Sequence, residues 1–301
     1  MKVGFVGLGI MGKPMCKNIL KAGYTVTAYN PSPASLDEVV ACGAIRAASS
    51  AEVAANSDVV ITMVPNSPNV RDAVLGKNGI LEGAKEGLDI IDMSSIAPLE
   101  SKAIAAECLK HGVHMMDAPV SGGEPKAVDG TLSIMCGGPK ALFDKYHELL
   151  MTMGASAVHC GEVNGAGNTV KLANQIIVAC NIAACAEAYS LSTMAGVDPE
   201  KVFEAIRGGL AGSTGHEREG SHDDGGQFQA RLPHRSAYQG SEQRARHRPR
   251  PRHADDPDLA GAGNDAVAAQ QRLRQRRSQR DPEVLRADHR HGGPQGALSV
   301  A

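Results

Sequence analysis

The stretch that decides the fold is Val3-Gly4-Phe5-Val6-Gly7-Leu8-Gly9-Ile10-Met11-Gly12. Its first four residues are mostly apolar and predict a short buried strand, and a helical pattern follows Gly12 as far as Ala22. A second strand is predicted over residues 24–29. Together they form a strand, a G-x-G-x-x-G turn, a helix and a strand, which is the context in which this motif binds a dinucleotide.

All six residues of the glycine motif are predicted cofactor contacts. Gly7 permits the tight turn, Gly9 lets the backbone approach a pyrophosphate, and Gly12 lets the helix pack closely on the strand. The positive end of the helix would face the phosphates. The predicted contacts are therefore Gly7, Leu8, Gly9, Ile10, Met11 and Gly12.

The second strand ends in Tyr29-Asn30-Pro31-Ser32. This position usually holds an acid that binds the 2′-hydroxyl of NAD, or lies beside an arginine that binds the 2′-phosphate of NADP. Neither is present here. Asn30 and Ser32 are predicted contacts that can bond a hydroxyl or a phosphate oxygen, so the choice between NAD and NADP stays open.

Further strands are predicted at residues 58–63, 88–92 and 114–116, with helices between them, such as residues 99–109. This alternation predicts an α/β fold with a doubly wound parallel sheet of the Rossmann type. Loops after two of these strands should reach the ligand edge of the sheet. They add Val64, Pro65, Asn66 and Ser95 as predicted cofactor contacts, although ordinary turn chemistry would also explain them.

Two later segments contain candidate substrate residues. In Asp117-Ala118-Pro119-Val120-Ser121-Gly122-Gly123, a serine and two glycines could present several donors to one anion, or Ser121 could simply cap a helix. The second is Gly165-Ala166-Gly167-Asn168-Thr169-Val170-Lys171-Leu172-Ala173-Asn174-Gln175, which predicts the start of a helix of about twenty-five residues. Lys171 and Asn174 share a face of it, which indicates a site, unless Lys171 is only a surface lysine.

Composition limits the class of protein. The chain has 301 residues, 42% of them hydrophobic, and a formal net charge of -2, which is typical of a soluble globular protein. Its seven cysteines are scattered without a C-x-x-C pair, so neither a disulfide framework nor a metal site is supported. No signal peptide is recognisable, and Asn181 and Glu187 interrupt the longest apolar run. We expect a cytoplasmic protein with no membrane partner.

Four motifs together resemble the β-hydroxyacid dehydrogenase family over residues 1–214. They are the glycine motif, the segments of Ser121 and Lys171 quoted above, and Arg207-Gly208-Gly209-Leu210-Ala211-Gly212-Ser213. The resemblance implies an NAD(P)-binding Rossmann domain (1–162), then a long inter-domain helix and the start of an all-α substrate and dimerisation domain (163–214). It implies that Lys171 is catalytic, that Ser121, Gly122 and Gly123 hold a substrate carboxylate, and that Asn174 orients the substrate hydroxyl and Lys171. It also implies a homo-oligomer.

Within the family, three segments resemble the branch that reduces tartronate semialdehyde (2-hydroxy-3-oxopropionate) to D-glycerate. The branch that acts on 3-hydroxyisobutyrate is a near neighbour. The segments are Met93-Ser94-Ser95-Ile96-Ala97-Pro98, Gly123-Glu124-Pro125-Lys126-Ala127 and Ala173-Asn174-Gln175-Ile176-Ile177-Val178-Ala179.

The composition changes after Thr214. Residues 1–214 hold all thirteen lysines, all seven cysteines and three arginines, whereas residues 215–301 hold fifteen arginines and neither lysine nor cysteine. The family continues here with helices and a Lys-Asp-Leu motif whose lysine reaches the active site. Codons for residues 215–220 permit Val-Met-Asn-Ala-Lys-Ala when they are read one base later, and the same shift permits the family's pattern through residue 243.

We therefore interpret residues 215–301 as an out-of-frame, disordered tail, and the second domain as incomplete. A basic tail that binds nucleic acid is the alternative, but interspersed acids argue against it. An incomplete domain makes oligomerisation doubtful and should expose Ile176, Ile177, Val178 and Ile182. The chain is then either an active reductase or a cofactor-binding protein with defective catalysis.

Overall fold

The computed structural model describes residues 1–219. Its strands and helices, in chain order, are β1 (Lys2–Val6), α1 (Gly12–Lys21), β2 (Thr25–Tyr29), α2 (Pro33–Val40), β3 (Ile45–Arg46), α3 (Ser50–Ala55), β4 (Val59–Thr62), α4 (Ser67–Leu75), α5 (Ile80–Gly83), β5 (Asp89–Asp92), α6 (Pro98–Lys110), β6 (His114–Asp117), β7 (Val120–Ser121), α7 (Gly123–Asp129), β8 (Leu132–Gly137), α8 (Lys140–Met151), β9 (Gly154–Gly161), α9 (Ala166–Met194), α10 (Pro199–Ile206) and α11 (Thr214–Glu219).

The first six strands form a parallel sheet in the order β3-β2-β1-β4-β5-β6. Every residue of β4 and β5 is buried, because the sheet has a hydrophobic core on each face. Ile90 packs into one core and Ile91 into the other, as alternation along a strand requires. The predicted Rossmann-type, doubly wound sheet is confirmed.

The sheet continues beyond β6 in a way that the sequence pattern did not predict. Strand β8 runs antiparallel to both β6 and the two-residue β7, and β9 runs parallel to β8, which makes the sheet mixed. Because β7 holds only Val120 and Ser121, it is too short for a periodic signal. Its position depends on pairing with Ser133 and Ile134 of β8, a tertiary contact.

Helix α9 has 29 residues, somewhat more than predicted. It is long and apolar enough to cross a membrane by length and composition alone, and 6% of its most apolar window is buried. Of the four side chains expected to be exposed, Ile176, Ile177 and Val178 are exposed and Ile182 is half-buried. Much of this helix therefore presents an apolar surface.

A small aromatic cluster joins the last three helices. The Tyr189 hydroxyl of α9 lies 2.7 Å from Nε2 of the buried His216 in α11, and the Phe203 ring of α10 packs edge-on against His216. The first residues of the predicted tail, 215–219, lie in α11, and the prediction that residues 215–301 are out of frame stays a prediction. The rest of that prediction, residues 220–301, lies outside the described residues.

Candidate functional site

The glycine turn between β1 and α1 has the geometry that the motif predicts. Gly7 has a φ of 97°, and a Cβ there would overlap the carbonyl oxygen of Met63. A Cβ on Gly12 would overlap the carbonyl oxygen of Gly7, so α1 packs on the turn only without a side chain. At Gly9, by contrast, nothing lies within 4 Å of a Cβ position. This open, exposed backbone before a helix N-terminus fits a pyrophosphate.

The other motif residues divide by exposure. Ile10 is 59% exposed and Met11 is half-buried at the start of α1, and cofactor contact by their side chains stays a prediction. The Leu8 side chain is completely buried in the core, so that residue can offer only its backbone. Its N–H donates to Oδ1 of Asn30 at 2.9 Å.

Asn30 and Ser32 differ in what they can still bind. Both ends of the Asn30 amide are engaged, because its Nδ2 also donates to the carbonyl of Ser32 at 3.1 Å. Asn30 therefore supports the glycine turn, and its contact with a cofactor stays a prediction. Ser32 is exposed, and as the N-cap of α2 it makes no side-chain cap hydrogen bond. Its hydroxyl remains available for the ribose end of a cofactor.

The loops after β4 and β5 lie at the same edge of the sheet. The Val64 N–H donates to Oγ of Ser94 at 3.0 Å, which links the two loops. Pro65 and Ser95 are exposed there. Asn66 caps α4 by accepting from the N–H of Asn69 at 3.1 Å, so turn chemistry does explain that residue. Cofactor contact stays a prediction for Val64, Pro65, Asn66 and Ser95.

Sequence reasoning missed Asp92, a fully buried carboxyl beneath these loops. Its Oδ1 accepts from the Thr62 hydroxyl at 2.8 Å and from the Ser94 N–H at 3.1 Å. Burial raises the pKa of Asp92 to about 6, against the effect of these hydrogen bonds. An aspartate at the carboxyl end of a predicted strand, followed directly by a predicted cofactor loop, was the signal that could have identified it.

The loop of Ser121 meets α9. Gly122 and Gly123 have φ values of 141° and 71°, and they lead into the N-terminus of α7. Ser121 does not cap that helix, since its hydroxyl donates to Oδ1 of Asn174 at 3.5 Å. The structure thus brings together Ser121 and Asn174, which are 53 residues apart in the chain.

Lys171 lies one turn before Asn174 on the same side of α9. Both residues are half-buried, whereas their neighbours Leu172, Ala173 and Gln175 are exposed. Burial lowers the pKa of the Lys171 ammonium from its ordinary value. A lysine with a lowered pKa donates its proton more readily than a surface lysine does, and its neutral amine is accessible nearer to neutral pH.

Two sequence families match the chain, one over the Rossmann-type sheet and one from the start of α9. Residues 2–161 match the NAD binding domain of 6-phosphogluconate dehydrogenase, and residues 165–231 match the NAD-binding region of NADP-dependent 3-hydroxyisobutyrate dehydrogenase. The first ends just before α9 and the second begins there. Together they identify NAD or NADP as the cofactor.

Several known proteins are similar to about 70% of the chain. A 2-hydroxy-3-oxopropionate reductase of Escherichia coli is 43% identical over 213 residues, which is 71% of this chain and 72% of the relative. The mitochondrial 3-hydroxyisobutyrate dehydrogenase of Mus musculus is also 43% identical, over 68% of this chain and 61% of its own length. The solved structure of Mycobacterium tuberculosis 3-hydroxyisobutyrate dehydrogenase with L-serine matches with a TM-score of 0.66 and 33% identity, over 71% of this chain and 72% of that one.

The glycine turn, the Ser121 loop and the Lys171 helix therefore occur in one protein, and this protein matches the two relatives over 72% and 61% of their own lengths. On these grounds the chain belongs to the β-hydroxyacid dehydrogenase family, NAD(P)-dependent oxidoreductases that act on CH–OH groups.

Proposed function

We propose that this protein reduces 2-hydroxy-3-oxopropionate to D-glycerate with NADH or NADPH. The observation that carries the proposal is the contact between Ser121 and Asn174 beside the half-buried Lys171. In this proposal the Ser121 loop binds the carboxylate of a small aldehyde acid, and Lys171 donates the proton to its aldehyde oxygen. The branch motifs and the identity to the Escherichia coli reductase support this substrate.

The cofactor would be held by the glycine turn, the Ser32 loop and the loops after β4 and β5. When bound, a reduced nicotinamide supplies a hydride to the aldehyde carbon of the substrate. The turn residues Gly7, Gly9 and Gly12 shape the backbone for the pyrophosphate, and the N-terminus of α1 favours its negative charge.

Lys171 acts on the substrate oxygen in this proposal. As the aldehyde is reduced, negative charge develops on that oxygen, and the Nζ ammonium stabilises the charge and donates the proton. Ser121, Gly122 and Gly123 hold the substrate carboxylate through the serine hydroxyl and backbone N–H groups. Asn174 orients the substrate hydroxyl, and its contact with Ser121 keeps the loop beside the helix.

Direct assay tests the substrate. Loss of NADH or NADPH absorbance at 340 nm is followed with 2-hydroxy-3-oxopropionate, and the reverse signal is followed with 3-hydroxyisobutyrate. We expect the larger kcat/KM for the first. A larger kcat/KM for 3-hydroxyisobutyrate would establish the second candidate, which the equal identity of the Mus musculus relative favours.

A third candidate is a protein that binds cofactor but turns over little. It is favoured by the absence of lysine after Thr214, where the family has a lysine that reaches the active site. Resequencing the coding DNA around the Thr214 codon tests the proposed frameshift. If the frame is shifted, comparison of this chain with the repaired chain should show equal cofactor affinity and much higher turnover in the repaired one.

A further inference from the structure

The first turn of α9 is capped by a residue from a distant strand. Its N-cap, Gly165, has no side chain to satisfy the free N–H groups of the helix. Asp117, at the end of β6, supplies both acceptors: Oδ1 accepts from the Gly165 N–H at 2.6 Å, and Oδ2 accepts from the Asn168 N–H at 2.9 Å. The two N–H groups belong to the N-cap residue and to the third residue of the helix. In a capping box, the side chains of those same two residues bind these N–H groups. Here one carboxylate from a distant strand binds both.

The same turn packs unusually closely on the sheet. Asp117 pairs with Gly137 of β8, and Gly167 lies directly against both strands. A Cβ on Gly167 would overlap the carbonyl oxygen of Met135, and one on Gly137 would overlap the backbone of Gly167. The start of α9 is thus held by the Asp117 hydrogen bonds and by backbone contact, which leaves it little freedom to shift.

This anchored turn leads directly to the proposed catalytic residues. Asn168 connects the turn to the loop after β5, because its Oδ1 accepts from the Ile96 N–H at 3.0 Å. At ~1.5 Å of rise per residue, Lys171 lies ~4.5 Å and Asn174 ~9 Å farther along the helix, and both face the same way. A shift or rotation of the first turn would therefore move both residues relative to Ser121.

We propose that Asp117 is a positioning residue for catalysis, whose carboxylate fixes the first turn of α9 and thereby holds Lys171 and Asn174 against the Ser121 loop. This inference rests on the role proposed for Lys171. Asp117 itself is completely buried and its carboxylate oxygens are used by Gly165 and Asn168, so it acts through the helix and not on the substrate.

Chemical labelling tests this role without any turnover. Asp117→Asn keeps the shape of the side chain but replaces one of the two acceptor oxygens with an NH2 group, so that either the Gly165 N–H or the Asn168 N–H faces a donor and loses its hydrogen bond. In the variant, acetylation of Lys171 by limiting acetic anhydride, quantified by mass spectrometry, should be several times faster than in the parent. The exposed Lys201 is the internal reference and should react at an unchanged rate. Unchanged labelling of Lys171 in a folded variant would overturn the proposal.

A matched variant separates positioning from stability. Asp89 is also a buried aspartate, but it is the first residue of β5, whereas Asp117 is the last residue of the neighbouring parallel strand β6. The Asp89 carboxylate binds Lys145 at 2.6 Å and Tyr146 at 2.7 Å. Asp89→Asn should lower the melting temperature and leave Lys171 labelling unchanged. If Asp117→Asn does not fold, Asn168→Ala loosens the same turn by removing the bond to Ile96, and faster labelling of Lys171 is again required.

Kinetics provide the second readout where the substrate is turned over. Asp117→Asn should lower kcat by up to about 100-fold, the usual cost of a misplacement near 1 Å, with a small change in KM and in the Kd for NADH. In a Lys171→Ala background it should have little further effect, because the two residues act through one group. An equal loss in both backgrounds would overturn the proposal. Labelling of Lys171 does not depend on the substrate. If only the proposed substrate is wrong, Asp117→Asn still speeds the labelling of Lys171; if the role of Asp117 is wrong, the labelling rate is unchanged.

Discussion

Replacing Lys171 by alanine is the most direct test of the site. Lys171 is half-buried, and burial is the cause of its lowered pKa. Within residues 1–219 it forms no salt bridge with a carboxylate, so we expect its removal to change stability little. Loss of general acid catalysis should lower kcat by ~10²–10⁴, or about 3 to 5 kcal/mol of transition-state stabilisation.

The assay compares kcat, the Kd for NADH and the melting temperature of Lys171→Ala with those of Lys201→Ala. Lys201 is exposed and forms a surface ion pair with Glu204 at 3.0 Å, so its variant should behave like the parent. Because the chain has no tryptophan, NADH binding can be followed by its own fluorescence with little interference. Turnover of Lys171→Ala within a few-fold of the parent, with intact NADH binding, would refute the catalytic role.

Further predictions concern pH, cofactor choice and stability. Reduction requires the protonated form of Lys171, so kcat should fall as pH rises through its pKa, which lies below the ordinary 10.5, and Lys171→Ala should lose this limb of the pH profile. Ser32→Arg should improve the NADPH:NADH ratio of kcat/KM by about tenfold or more, since it adds a cation after β2 without removing a cap hydrogen bond. Tyr146→Phe removes a hydrogen bond to buried Asp89 and should cost ~1.5–3 kcal/mol in urea unfolding, with kcat unchanged. Ile61→Ala should cost ~2–5 kcal/mol in the same assay, because Ile61 is completely buried in the core. An unfolding midpoint equal to the parent's would contradict either stability prediction.

The sequence alone determined the Rossmann half of the fold and its cofactor turn. The reason is local: the glycine positions, the helix and the two strands all follow from near neighbours, and the structure gives Gly7 and Gly12 the contacts that exclude a side chain. The long helix was also predictable, since residues 166–194 contain no proline or strong break. Lys171 and Asn174 were recognisable because spacing along a helix fixes which residues share a face.

Only the tertiary structure decided what supports the site. The side-chain amide of Asn30 is hydrogen-bonded to the backbone through both its oxygen and its nitrogen, and Asn66 caps a helix. The composition of a loop does not reveal such contacts. The short β7 and the mixed edge of the sheet depend on pairing with β8. Asp117 is 48 residues from Gly165, so its capping of α9 arises from the way β6 and the helix meet. Such contacts join segments far apart in the chain, and no local pattern encodes them.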